Sequence, residues 1–490
     1  MRDLPAVFSV GGHGREHSGH RARTRGRAVP SSAVTHDRAI AATGVPVAVI
    51  GAGIAGLVTA YELEQRGYRV VILEGSRRIG GRIYSHRFGG DADSPVAELG
   101  AMRIPAGHTY TMGYIATLGL SDELRPFHSL LADENAYLGT PTGYRRLRDA
   151  PAALLAELRR RHSVDAYREE TLLFAARLSL IVDAIAPPAQ RESLRRDLGA
   201  RLLDLVERID LRPYLADRDG GRIDLHGLFV AFPHLRAACG GDLNTFLDDI
   251  LTETSPDLVR VRGGMARIVE RLARRLRAPI LLGREVVGLS VKPDGVAIEV
   301  RAGGRTVVHH REHVVCTVPL PLLRRMRLRG FTDDKLDVIH KVQYVPATKV
   351  AFHCREPFWE HEGISGGASC SGGRIRQTYY PAVDGDRALG AVLLASYTIG
   401  DDAEVLGRLP APQRHAAVLA ELAEMHPRLR SPGMVLDAVS VAWGGNRWSG
   451  SGCSVRWGKN PTEYEKERSA VARPIGSLYF AGEHCSSAPA

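Results

Sequence analysis

VAVIGAGIAGLVTAYELEQRGYRVVILEG, residues 47–75, passes from a short apolar run through three spaced glycines into an amphipathic stretch and out into a second apolar run. Short, nearly continuous apolar runs bounded by turn residues read as strands buried on both faces, and the stretch between them has helical spacing. The order is therefore β-α-β. In such a unit Gly51 permits the tight turn after the first strand, Gly53 lets the backbone approach a pyrophosphate, and Gly56 lets the helix pack closely on the strand. The helix N-terminus then faces the phosphates. Glu74, at the end of the second strand, can accept hydrogen bonds from a ribose and repel a 2′-phosphate. These residues specify a dinucleotide and leave open which one.

Upstream, Ala39 to Tyr61 contains no charged residue and imitates a signal anchor. Pro46, Gly51, Gly53 and Gly56 interrupt it, so a strand, a turn and a helix are expected and no membrane segment. Residues 1–44, rich in Gly, His and Arg, are expected to form a disordered tail. The 490 residues exceed what one simple core organises, and 44% hydrophobic residues suffice to fill two or three domains. The net charge of +10 is interleaved with acids, as in RIVERLARRLRAP (267–279), an apolar stripe with a solvated basic face; this argues against a nucleic-acid partner. Six cysteines without CxxC spacing indicate reduced thiols and a cytoplasmic protein. His309, Glu312 and His313 in HHREH match a zinc pattern that works only on a helix, but flanking RTVV and HVVCTV predict two strands and no metal site.

Downstream, AELGAMRIP (97–105) sets Arg103 among apolar and small residues. A guanidinium keeps its charge, so a buried one needs an anionic partner. That partner is either a ligand or an internal acid such as Glu98. Between the two stretches, RRIGGRIYSHR (77–87) carries Gly80, Gly81 and Arg82 soon after Glu74. This resembles the second signature of flavoproteins in the amine oxidase and glutathione reductase groups, which implies FAD.

From Val45 onward the chain resembles the flavin amine oxidase family, and within it the L-amino acid oxidase branch. The matching pieces include ELGAMRIP (98–105), VRGGMARIV (261–269), REVVGLSV (284–291), VVCTVP (314–319), ATKVAF (347–352), FWEHEGISGG (358–367), YYP to SYTIGDD (379–402) and YFAGEH (479–484). The resemblance implies that Arg103 pairs with the substrate carboxylate and that Tyr397 donates a hydroxyl to it. It implies that Lys349 holds a water near flavin N5, suited to oxygen chemistry and imine hydrolysis. Gly81, Arg82, Gly100, Ala101, Met102, Arg103, Val286, Gly482 and Glu483 join Gly51, Gly53, Gly56 and Glu74 as expected cofactor contacts. Trp443 and Trp448 fall where the family often has aromatic residues near the substrate pocket. Val345 stands where some members have an arginine, and the chain stops after FAGEHCSSAPA, short of the helix the family places near the flavin; a truncated chain is one expectation.

The implied architecture is α/β: a Rossmann-like FAD-binding domain (45–85, 256–340, 471–490) interleaved with a mixed-sheet substrate domain (86–150, 341–470) and a helical insertion (151–255). The implied activity is oxidative deamination of an L-amino acid by FAD and O2 to a 2-oxo acid, ammonia and hydrogen peroxide, in a homodimer. Alternatives on the same scaffold are an amino-acid 2-monooxygenase, a monoamine or polyamine oxidase, which would leave Arg103 no carboxylate, and an inactive FAD-binding chain. No motif in the insertion indicates the preferred side chain.

Overall fold

The computed structural model describes residues 44–130, 132–140, 143–150, 167–186, 200–215, 223–239, 257–455 and 459–486, with Leu155, Arg191, Leu194, Leu247, Leu251 and Ser255 as isolated positions. The N-terminal segment expected to be disordered lies outside the described residues save Gly44, as does most of the LLAELRRRH stretch of the insertion.

The opening motif forms strand β1 (Pro46–Ile50), helix α1 (Ile54–Gln65) and strand β2 (Arg69–Leu73). β1 is buried along Val47–Ile50 because it lies inside a five-stranded parallel sheet. β2 and the strand His313–Cys316 flank it; Ile280–Leu281 and Leu478–Phe480 form the edges. Distant parts of the chain thus share one sheet. Gly51 has φ +104°, a conformation glycine adopts without steric cost. A Cβ on Gly56 would stand 1.9 Å from the Gly51 carbonyl oxygen, so α1 can reach its place over β1 only with glycine there.

A four-stranded sheet (Arg305–Arg311, Gly295–Ala302, Glu285–Lys292, Arg327–Arg329, in spatial order) stands beside this layer. His309 lies within one strand and His313 opens the next, so the helix that the zinc pattern requires does not form. The described parts of 151–255 include helices at Glu169–Ile185, Ala200–Val206, Leu225–Ala231 and Pro233–Ala238. No helix among the described residues is long and apolar enough to cross a membrane.

The third large element is a seven-stranded sheet. Its centre is β3 (Ala347–Cys354), β4 (Gln377–Tyr379) and β5 (Ala391–Ile399), with β5 antiparallel to both neighbours. Toward the C-terminus, the buried Lys335 ammonium donates to the carbonyls of Ala470 (3.1 Å), Val471 (2.6 Å) and Arg473 (2.7 Å) at the end of the helix Pro461–Ala472. A cation on those unpaired carbonyls holds the helix that leads into Leu478–Phe480 and Glu483.

Gly56→Ala should cost about 1–3 kcal/mol through overpacking against the Gly51 carbonyl. Thermal unfolding followed by circular dichroism is expected to show a lowered Tm; an unchanged Tm would mean that α1 can shift away from β1 freely.

Candidate active site

One cavity of about 1230 Å³ runs from the turn after β1 to the seven-stranded sheet. At one end it is walled by Gly51, Gly53, Glu74, Gly81, Arg82 and Val286, at the other by Met102, Arg103, Lys349, Tyr397, Gln377 and Trp443. Gly100, Ala101, Gly482 and Glu483 line it too. Of the residues expected from sequence, Gly56 is not in the wall and acts from behind, through its contact with Gly51.

The nucleotide end fits a dinucleotide. The atom nearest a Cβ built on Gly53 is the Gly81 Cα, 4.0 Å away, so a side chain there would occupy the space a pyrophosphate needs. Glu74 lines the cavity while its carboxylate accepts the Ala52 and Ser76 N–H groups, each at 2.8 Å. Arg82 pairs with Glu483 at 2.5 Å and donates to the Gly452 carbonyl at 3.0 Å. The other Glu483 oxygen accepts from the Ser454 backbone and hydroxyl. Burial works against the charge on Glu483, but Arg82 and Ser454 outweigh it and hold the carboxyl below the ordinary range. Arg468 completes the frame, donating to the His484 carbonyl (3.0 Å) and the Ser454 hydroxyl (2.9 Å).

The substrate end is built on the sheet. Lys349 on β3 and Gln377 on β4 are both register partners of Tyr397 on β5, so the three side chains lie in one row across three strands. The Lys349 ammonium donates to the Gly100 carbonyl at 2.7 Å and approaches the Glu98 carbonyl at 3.5 Å. It lies 4.6 Å from the centre of the Tyr397 ring. Burial first, and the charge of Arg103 second, lower its pKa to about 7, with Glu98 opposing. Burial likewise raises the Tyr397 hydroxyl, which the Arg103 charge partly offsets, so the phenol is a neutral donor. Arg103 stacks on Phe127 at 5.7 Å.

The Glu98 carboxylate is engaged elsewhere. It accepts from the Ser85 hydroxyl (2.9 Å) and the Met265 backbone N–H (2.6 Å), and burial raises it to about 7 against the pull of those donors and of Lys349. Trp443 donates its indole N–H to the Leu99 carbonyl at 2.7 Å and faces the cavity near Lys349's anchor. Trp448 departs from expectation: it packs against Gly75, where an added Cβ would meet its ring at 2.4 Å, and so belongs to the nucleotide end beside Glu74. A small residue after the second strand makes room for that ring. Sequence reading missed Gln377 and Tyr379, whose hydroxyl donates to the Gln377 amide oxygen at 3.1 Å. The alternation within QTY was the available signal, but only the register with Tyr397 gives it meaning.

The family model for flavin-containing amine oxidoreductases matches residues 54–489. The chain is 53% identical over 444 residues, 91% of its length and 94% of the other, to the flavin-dependent L-tryptophan oxidase RebO of Lentzea aerocolonigenes. It is 30% identical over 464 residues to an L-amino-acid oxidase of Mus musculus, covering 89% of this chain and 67% of that one. Among solved structures, putrescine oxidase bound to putrescine shares the fold, with a TM-score of 0.59 at 19% identity over 90% of this chain and 94% of that one.

Glu98→Gln keeps an acceptor for the Met265 N–H and removes the ionisation. In the wild type the carboxyl's pKa rises from 4.5 unfolded to about 7 folded, so its contribution is complete below 4.5 and lost as pH rises through about 7. Lys349 titrates in both proteins and largely cancels in the difference. The wild type is therefore expected to lose Tm relative to Glu98→Gln across that window; parallel curves would show that Glu98 ionises normally.

Proposed function

This chain belongs to the family of flavin-containing amine oxidoreductases and is an FAD-dependent L-amino acid oxidase, and on that footing we propose that its substrate carries an indole ring, with L-tryptophan the first expectation. The observation that carries the proposal is the identity shared with the tryptophan oxidase along nearly the whole of both chains. The net reaction converts L-amino acid, O2 and water to 2-oxo acid, ammonia and hydrogen peroxide.

In this reading Gly51, Gly53 and the start of α1 receive the pyrophosphate, Glu74 the ribose, and the Val286 backbone the adenine. Arg82, fixed by Glu483, stands in the wall of the nucleotide end. Bound FAD supplies the acceptor for the hydride that leaves the substrate Cα and passes the electrons on to O2. The chain's own contribution is position and proton management. The planar fork of Arg103 and the Tyr397 hydroxyl hold the carboxylate and so fix which way the Cα–H points. Lys349, with its pKa near 7, exchanges protons at Nζ near neutrality and can hold the water that hydrolyses the imino acid. The burial of Lys349 in the wall lowers the local dielectric, which strengthens its contacts.

The six cysteines form no disulfide with one another, which supports assignment to a reducing, cytoplasmic compartment. Assembly as a homodimer belongs to the same reading, and light scattering would give twice the chain's 53.3 kDa.

Equimolar 2-oxo acid, ammonia and peroxide from L-tryptophan are the expected products; an amide and carbon dioxide would mark a monooxygenase instead. Arg103→Lys, which replaces a fork by a point donor, should lose about 1.5–3 kcal/mol of substrate binding, roughly ten- to a hundredfold in KM, at normal flavin content. Unchanged kinetics in that variant would remove Arg103 from carboxylate recognition.

A further inference from the structure

A second cavity, of about 590 Å³, adjoins the substrate end: Met102 stands in the wall of both, and Phe127, the ring under Arg103, stands in the wall of the second. Asp91, Asp93, Arg262 and Asp386 in its wall are exposed, so this cavity opens to water. Glu98 lines it as well. The Lys349 ammonium, in the wall of the first cavity, lies 3.5 Å from the Glu98 carbonyl. One residue thus borders both the lysine and the space open to solvent.

The Glu98 side chain has a seat for its charge. It accepts the Met265 N–H at 2.6 Å and the Ser85 hydroxyl at 2.9 Å, and Ser85 accepts the Ala266 N–H at 3.0 Å where the helix Ala266–Arg275 begins. A helix start favours negative charge. Burial acts against it and raises the carboxyl to about 7, the range in which Lys349 also titrates. The charged side chains acting on Glu98 are Lys349 on β3 and Arg260 on the strand Leu258–Val261; those acting on Lys349 are Arg103 and Glu98. Two groups that hold a proton about equally well can pass it in either direction.

The reaction has such a proton to move. An L-amino acid arrives with its amine as an ammonium, and loss of hydride from Cα needs the lone pair of the neutral amine, so one proton leaves first. O2 becomes hydrogen peroxide by taking two electrons and two protons. One of those protons comes with the hydride, and the other balances the one the ammonium gave up. We propose that Glu98 acts through Lys349, positioning the route by which this proton passes between the site and the second cavity. Lys349 Nζ takes the proton from the substrate ammonium, water carries it to the Glu98 carboxylate, and the second cavity releases it to solvent; the return toward peroxide retraces the path. Only N–H and O–H bonds change. The proposal rests on the proton role given to Lys349 above.

The test uses the FAD-loaded full chain, reduced without oxygen by L-tryptophan, or by L-phenylalanine if only that reduces the flavin, in weak buffer with a pH indicator. The pH is set just above the range in which the two groups titrate. In the wild type one proton per flavin is expected in solution, in step with flavin bleaching. Glu98→Gln should delay that proton at least about tenfold behind the bleaching, with KM little changed. Glu98→Asp, which keeps a carboxyl, should delay it by a smaller factor. Because the Glu98 charge raises the lysine's affinity for its proton, the acid limb of the reduction rate should also move to lower pH in Glu98→Gln. A merely structural loss moves neither the delay nor the limb. Proton release in step with bleaching in Glu98→Gln would overturn the route, as would a wild type that releases no proton. If Glu98→Gln sheds its flavin, release in step with bleaching in Glu98→Asp overturns it instead. Lys349→Met separates the route from the reading beneath it: a wild-type acid limb in that variant would remove Lys349 as the acceptor, and the route with it, whereas a lost limb there beside prompt release in Glu98→Gln would overturn the route alone.

Discussion

The ion pair between Arg82 and Glu483 joins the segment just after the nucleotide motif to the turn that follows the last described strand, and both residues line the cavity. Withdrawing two charges from water costs several kcal/mol per ion, which attraction recovers only when the remaining hydrogen-bonding positions are filled. Here the chain itself fills some of them: Gly452 accepts from Arg82, and Ser454 donates twice to one Glu483 oxygen. Arg468 holds Ser454 in turn. Removing one partner would strand a charge in the cavity wall.

The substrate end solves a different electrostatic problem. Two cations, Arg103 and Lys349, occupy one wall, and their repulsion adds to burial in lowering the lysine. The result is a lysine that loses its proton near neutrality. Glu98 moderates the lysine through its charge and its backbone carbonyl, yet keeps its carboxylate on Ser85 and Met265. An internal Glu98 pair was one partner considered for Arg103, and that geometry leaves the Glu98 oxygens turned to other donors.

Much of the frame was legible from sequence because it is written locally. The β1-α1-β2 unit follows from hydrophobic period and glycine placement within 47–75, and the strands around HHREH follow from β-branched runs. What local period cannot encode is which strands become neighbours and in what register. Gln377 became visible only when β4 paired with β5, across a register shift that follows a buried arginine, Arg376, bonded to Ala186. Trp448 was misplaced for a related reason. Its position against Gly75 depends on how the loop after Val435–Ala442 folds back across the nucleotide end, which no short motif specifies.

That dependence on register also sets how firmly each residue of the row is held. Lys349 and Tyr397 sit on adjacent strands bonded along most of their length, so their spacing is stiff. Gln377 lies on a three-residue strand with a register shift, bounded by a residue in a strained conformation. Strain of this kind persists only where surrounding contacts over-determine it, and here Ala186 and Asp402 supply them.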